Sequence, residues 1–139
     1  MASILIVDDD LQTRASLEAV LRRPRWFVHG AADGEEAIAS LRQRSFDVVL
    51  LDLLLPRVNG FEVIQHLKAL QPETLRKLIV LTGAADPTLR YFDFSQIHAI
   101  LRKPVDGRAL VQMVRACVRQ GRGRKERVSA RLPAGNLPR

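Results

Sequence analysis

Four short apolar runs along the chain each stop at a chemically loaded residue. Ile4-Leu5-Ile6-Val7 meets Asp8-Asp9, and Val48-Val49-Leu50-Leu51 meets Asp52. Leu78-Ile79-Val80-Leu81 meets Thr82, and Ala99-Ile100-Leu101 leads to Lys103-Pro104. Short, nearly continuous apolar runs read as strands buried on both faces. Amphipathic segments separate them, so the chain alternates strand and helix, the pattern of a parallel sheet covered by helices on both sides.

Following the pattern, Asp10 caps a helix with Leu17, Val20 and Leu21 on one face, ending near Arg22-Arg23 before Pro24. Phe27 to Ala31 reads as a second strand. Asp33 with Glu36 resembles a capping box, opening a helix that turns Ala37, Ile38 and Leu41 inward. Phe46 to Asp52 is the third strand, and Leu53 to Asn59 a loop. Gly60 starts a helix with Val63, Ile64 and Leu67 toward the sheet, stopping before Pro72. Lys77 to Thr82 is the fourth strand. Gly83 to Gln96 has poor helical periodicity and predicts a short or irregular helix. A fifth strand covers about His98 to Arg102, and a last helix from near Asp106 buries Leu110, Val114, Cys117 and Val118.

Length and composition place these elements in one ordinary globular domain: 139 residues, 47% hydrophobic and 27% charged. No apolar run approaches the roughly 18 residues of a membrane span, and the N-terminus shows no basic, cleavable leader. A single cysteine, Cys117, rules out an internal disulfide. A cytoplasmic location is expected. The three histidines, His29, His66 and His98, have no ligand spacing.

The net charge of +7 changes the picture only through its position. From Arg119 onward stand seven Arg or Lys and one acid, Glu126, leaving about +1 on everything before. The basicity thus reads as a tail rather than a folded face. Its Gly121, Gly123, Pro133, Gly135 and Pro138 carry no apolar period, so a domain at 1–119 followed by a disordered segment at 120–139 is expected. Such a tail attracts phosphates without specificity but cannot hold a helix-turn-helix.

If the four runs are neighbouring parallel strands, their carboxyl ends bring Asp8, Asp9, Asp52, Thr82 and Lys103 into one pocket, at the edge where open α/β sheets bind ligands. Clustered carboxylates repel one another unless a cation neutralises them, so the pocket predicts a hard divalent metal, Mg²⁺, with an anion beside it. Asp52 is the nucleophile candidate, because a carboxylate can accept a phosphoryl group. The ammonium of Lys103 and the hydroxyl of Thr82 are suited to phosphoryl oxygens. Each residue alone has a plainer reading: a cap, a strand end, a surface lysine. Their joint placement outweighs these.

With Val7-Asp8-Asp9, Leu51-Asp52 followed by Pro56 and Gly60, Thr82-Gly83 and Lys103-Pro104 in that order, residues 3 to 119 resemble the receiver domains of two-component response regulators. The resemblance implies a flavodoxin-like (βα)5 fold with strand order 2-1-3-4-5. It implies that Asp52 accepts a phosphoryl group from a sensor histidine kinase or a histidine phosphotransfer protein. Asp9, Asp52 and the Leu54 carbonyl would bind Mg²⁺ directly, and Asp8 mostly through water. Thr82 and Lys103 would contact the phosphoryl oxygens, and the bond before Pro104 would be cis.

Three departures qualify that implication. The usual switch aromatic is replaced by Ile100, a weak switch position. Gln96-Ile97-His98-Ala99 stands where a Gly-Ala step is common, which leaves the output face and homodimerisation open. Leu54 and Ala84 occupy positions that often orient the hydrolytic water, so a long-lived aspartyl phosphate is expected. The resulting reading is a stand-alone receiver, signalling to a downstream protein without specific DNA binding. Two alternatives are a phosphorylation-independent interaction module with a relic site and a Mg²⁺-dependent aspartyl-phosphate hydrolase. The hydrolase typically needs a second acid two residues after its nucleophile, where Leu54 stands.

Overall fold

The computed structural model describes residues 1–55, 57–83 and 92–131. Five strands run β1 (Ala2–Val7), β2 (Trp26–Ala31), β3 (Val48–Asp52), β4 (Leu78–Thr82) and β5 (Ala99–Arg102). They form one sheet in the order β2-β1-β3-β4-β5, and every neighbouring pair is parallel. This is the flavodoxin-like arrangement expected from the sequence. The helices are α1 (Leu11–Leu21), α2 (Gly34–Gln43), α3 (Gly60–Leu70) and α4 (Gly107–Arg131).

Strand alternation divides the core into two layers. Leu5, Val7, Val49 and Leu51 pack with Ala37 and Leu41 of α2 and with Val63, Ile64 and Leu67 of α3. Ile4, Ile6, Val48 and Leu50 face the other way, onto Leu17 and Leu21 of α1 and Leu110, Val114 and Cys117 of α4. β1, β3 and β4 are buried on both sides, which explains why their sequences are apolar without alternation. No helix among the described residues is long and apolar enough to cross a membrane.

Local chemistry sets the helix starts. Asp10 caps α1, accepting from the Gln12 and Thr13 amides at 3.3 Å. Asp33 caps α2 through the Glu36 amide at 2.8 Å. Glu36 returns not to the Asp33 amide, as a capping box would, but to that of Ala32 at 2.7 Å. Asn59 caps α3, accepting from the Glu62 amide at 3.0 Å.

Several boundaries differ from the sequence expectation. A 3₁₀ helix, Pro72–Lys77, stands between α3 and β4 where none was expected; Pro72 at its first turn suits such a start. The third strand begins at Val48, although the Asp47 amide already bonds the Ser3 carbonyl at 2.8 Å. The irregular helix expected within Gly83 to Gln96 falls largely on residues 84–91, outside the described residues, as do Pro56, Ala84 and Tyr91. Phe92 and Phe94 are half-buried, their rings 4.7 Å apart, with Phe61 at 5.1 Å from Phe92. They serve packing.

The last helix corrects the break expected after Arg119. α4 continues to Arg131, so residues 120–131 are helical. Lack of an apolar period does not remove helix propensity. Arg, Lys, Gln, Glu and Ala are good helix formers, and extending an existing helix needs no new nucleus. Gly121 and Gly123 each cost about 1 kcal/mol, which does not stop propagation. Residues 132–139 lie outside the described residues.

Candidate functional site

The parallel register brings the carboxyl ends of β1, β3 and β4 to one edge. Val7 pairs with Leu51, so Asp8 stands level with Asp52 on the adjacent strand. Asp52 pairs with Leu81, which places Thr82 one step further along, and Thr82 pairs with Arg102. Lys103 follows, its amide bonded to the Thr82 carbonyl at 2.7 Å. Asp8, Asp52 and Thr82 are buried, while Asp9 is exposed. Residues from four chain segments therefore share this edge: Asp8, Asp9, Asp52 and Lys103 come together, and Thr82 stands at the end of β4 next to them in register.

Lys103 Nζ lies 3.1 Å from Asp52 Oδ2 and 3.2 Å from Asp8 Oδ2. The remaining oxygens are used locally: Asp8 Oδ1 accepts from the Asp10 amide at 2.9 Å, and Asp52 Oδ1 from the Leu54 amide at 3.0 Å. Burial raises the Asp52 carboxyl above its ordinary range; the Leu54 amide and the Lys103 ammonium offset this only in part. Burial works against the Lys103 charge, yet the hydrogen bond and charge of Asp52, with the charge of Asp8, outweigh it and raise its pKa. The Lys103-Pro104 peptide bond is cis.

One oxygen from each of Asp8, Asp9 and Asp52 lies within 4.8 Å of the others. Octahedral Mg²⁺ with ligands at about 2.1 Å spans roughly 4.2 Å between opposite oxygens. Rotation of the exposed Asp9 side chain can close that difference, and an all-oxygen donor set suits a hard cation. The residues present fit Mg²⁺.

The loop after Asp52 is fixed by two glycines that tolerate no side chain. A Cβ on Gly60 would lie 2.5 Å from Leu53 Cα, and one on Gly34 would lie 1.9 Å from the Val58 carbonyl oxygen. The Gly60 amide bonds the Leu53 carbonyl at 3.0 Å, folding the loop back onto β3. Leu54 points outward, 64% exposed.

Two contributors escaped sequence reasoning. Arg14 Nη1 donates to the Asp8 carbonyl at 2.7 Å. A cation in the first turn of a helix opposes the macrodipole, and that oddity was the available signal. Arg57, in the left-handed region at φ 60°, reaches Asp33 at 3.7 Å and Glu35 at 3.6 Å, tying the loop to the start of α2. Nothing in its sequence context marks it. The weak switch position, Ile100, is 44% exposed on β5.

Comparison with known proteins agrees with this fold. The family model described as response regulator receiver domain matches residues 4–115. The transcriptional regulatory protein AfsQ1 of Streptomyces coelicolor is 31% identical over 121 residues, covering 87% of this chain and 53% of its own length. The transcriptional regulatory protein ResD of Bacillus subtilis is 30% identical over 118 residues, covering 84% and 48%. The chain thus spans about half the length of these relatives. Among solved structures, a CheY-like response regulator receiver domain protein from Methanospirillum hungatei superimposes with a TM-score of 0.80 at 28% identity, over 89% of this chain and 98% of that one.

Proposed function

The chain belongs to the response regulator receiver domain family, and we propose that it works as a phosphorylatable switch with Asp52 as the phosphoacceptor. The observation that carries this reading is the ammonium of Lys103 spanning Asp8 and Asp52 beside an Asp8, Asp9 and Asp52 oxygen cluster.

The donor is the phosphohistidine of a sensor histidine kinase or of a histidine phosphotransfer protein. An Asp52 oxygen attacks phosphorus, an O–P bond forms as the N–P bond breaks, and the electron pair leaves with the imidazole, which takes up a proton. Asp8, Asp9, Asp52 and the Leu54 carbonyl would hold Mg²⁺, which supplies positive charge against the repulsion between carboxylate and phosphoryl group. Lys103 would exchange an Asp52 oxygen for a phosphoryl oxygen, and Thr82 would donate its hydroxyl to another. Both lie on the carboxyl ends of β4 and β5, so the new charge pulls those ends inward and shifts a two-state equilibrium. The exposed apolar Leu54 cannot orient a water for hydrolysis, which favours a long-lived acyl phosphate and disfavours the hydrolase reading. Apart from gain and loss of this phosphoryl group, the domain acts by binding a downstream protein, with no sequence-specific DNA contact of its own.

The test is phosphorus NMR of the protein with phosphoramidate and Mg²⁺. An acyl-phosphate resonance that is missing in Asp52→Asn supports the reading. Sustained turnover of p-nitrophenyl phosphate would instead make the domain a hydrolase, and absence of any adduct would leave it a relic module.

A further inference from the structure

At the end of the sheet opposite Asp52, the tight turn between α1 and β2 meets α4 and encloses a cleft of about 420 Å³. Arg23, Arg25, Arg115, Arg119 and Arg122 line it around the half-buried indole of Trp26, and among the described residues no carboxylate does. The basicity therefore does not belong to the tail alone, as the sequence suggested. The fold joins two arginines of the α1–β2 turn to the stripe at 115, 119 and 122 on α4, which recurs at helical spacing.

The arginines are not equivalent. Arg23 Nη1 is committed to the Val20 and Arg22 carbonyls, at 3.1 and 3.0 Å, closing the end of α1. Arg115 lies over Trp26, its Cζ 5.9 Å from the ring centroid, a cation–π contact that sets a guanidinium and an indole side by side on one wall of the cleft. Among the described residues, none of the five guanidinium groups has a carboxylate within ion-pairing distance. Positive charge concentrated in this way attracts an external polyanion.

We propose that this cleft binds single-stranded nucleic acid, with a base stacked on the Arg115–Trp26 platform and backbone phosphates on Arg25, Arg119 and Arg122. The volume admits a base with its sugar. Arg115 and Arg119, one helical turn apart, are separated by about 6 Å along the axis, close to the spacing of successive phosphates on an extended strand. A positively charged groove holding an aromatic platform is how sequence-tolerant single-strand binding is built. Two other polyanions fit less well. Trp26 is recessed among arginines and cannot enter a lipid headgroup layer as a protruding anchor would, and an acidic peptide has no flat ring to place on the platform. β1 sets this cleft about 20 Å from Asp8, so binding is separate from the phosphoacceptor chemistry.

Trp26 is the single tryptophan of the chain, so its fluorescence reports on this cleft alone. The experiment titrates the full chain with a fluorescein-labelled twelve-nucleotide oligouridylate, reading probe anisotropy, and with the unlabelled oligonucleotide, reading Trp26 emission. Saturable binding with quenched emission is expected, with an affinity that falls linearly on a log–log salt plot by about 0.7 per phosphate contacted. Arg25→Glu with Arg119→Glu, two exposed positions, should weaken binding at least tenfold while leaving the circular dichroism spectrum unchanged. The proposal is overturned by no binding, by binding without a Trp26 response, by equal affinity in the folded double variant, or by tighter association with phosphatidylglycerol vesicles or oligoglutamate than with the oligonucleotide.

Discussion

Lys103 Nζ lies 3.1 Å from Asp52 Oδ2, although 51 positions separate the two residues in the chain. This contact holds a charge where burial opposes one, and burial still prevails: the Asp52 carboxyl titrates above its ordinary value of 3.8. The sign follows from linkage. The folded state keeps its proton where the unfolded state has lost it, so the contribution of Asp52 to stability is full below pH 3.8 and is lost as pH rises through the folded pKa. Asp52→Asn removes the ionisation. In EDTA it should therefore melt above wild type at pH 7, with the gap closing below pH 4. A variant less stable at pH 7 would contradict the assigned direction.

Asp9 is the exposed member of the acidic cluster, so its replacement should spare the fold while removing a metal oxygen. Wild type should gain stability as Mg²⁺ is added, by about 2.7 kcal/mol when the ion stands at a hundred times its Kd. Asp9→Asn should show little or none of that gain. Thermal melts across a Mg²⁺ series for both proteins decide the matter.

Gly34 and Val58 touch so closely that a methyl group has nowhere to go. The clash is with a backbone carbonyl, which cannot rotate away, so Gly34→Ala should cost the upper part of the roughly 1–3 kcal/mol range for overpacking. It should also displace the loop that holds Leu54 and slow phosphoryl uptake. Urea denaturation gives the first effect, and uptake kinetics the second.

Arg57 adopts φ 60°, a region that costs a side-chain-bearing residue about 1–2 kcal/mol. Its guanidinium is exposed in both ion pairs, at 3.6 and 3.7 Å, so they contribute at most about 1 kcal/mol. Arg57→Gly should thus be more stable than Arg57→Ala by about 1 kcal/mol, since both lose the ion pairs and only glycine relieves the backbone. Equal midpoints for the two variants would show that this conformation stores no strain.

The sheet and the site were legible because buried parallel strands write themselves as unbroken apolar runs. Where such a run ends, the next residue lies at the sheet edge, so Asp8, Asp52, Thr82 and Lys103 could be read together from β1, β3, β4 and β5. The fold-back of the loop onto Gly34 and Gly60 was not legible, because close approach of two backbones leaves no pattern except a glycine. Arg57 and Arg14 act through main-chain position and through partners distant in sequence. The end of α4 differs for another reason: an apolar period reports what is buried, and helix propensity carries the chain past Arg119 without one. The basic cleft was missed because its arginines come from two segments, Arg23 and Arg25 with Arg115 to Arg122, and only the fold joins them.

The claim that Asp52 receives the phosphoryl group is tested most directly by intact-mass spectrometry of the full chain after incubation with acetyl phosphate and Mg²⁺. The account predicts one added phosphoryl group on wild type, none on Asp52→Asn, and none on wild type in EDTA. An adduct that persists in Asp52→Asn, or forms equally without Mg²⁺, would contradict it.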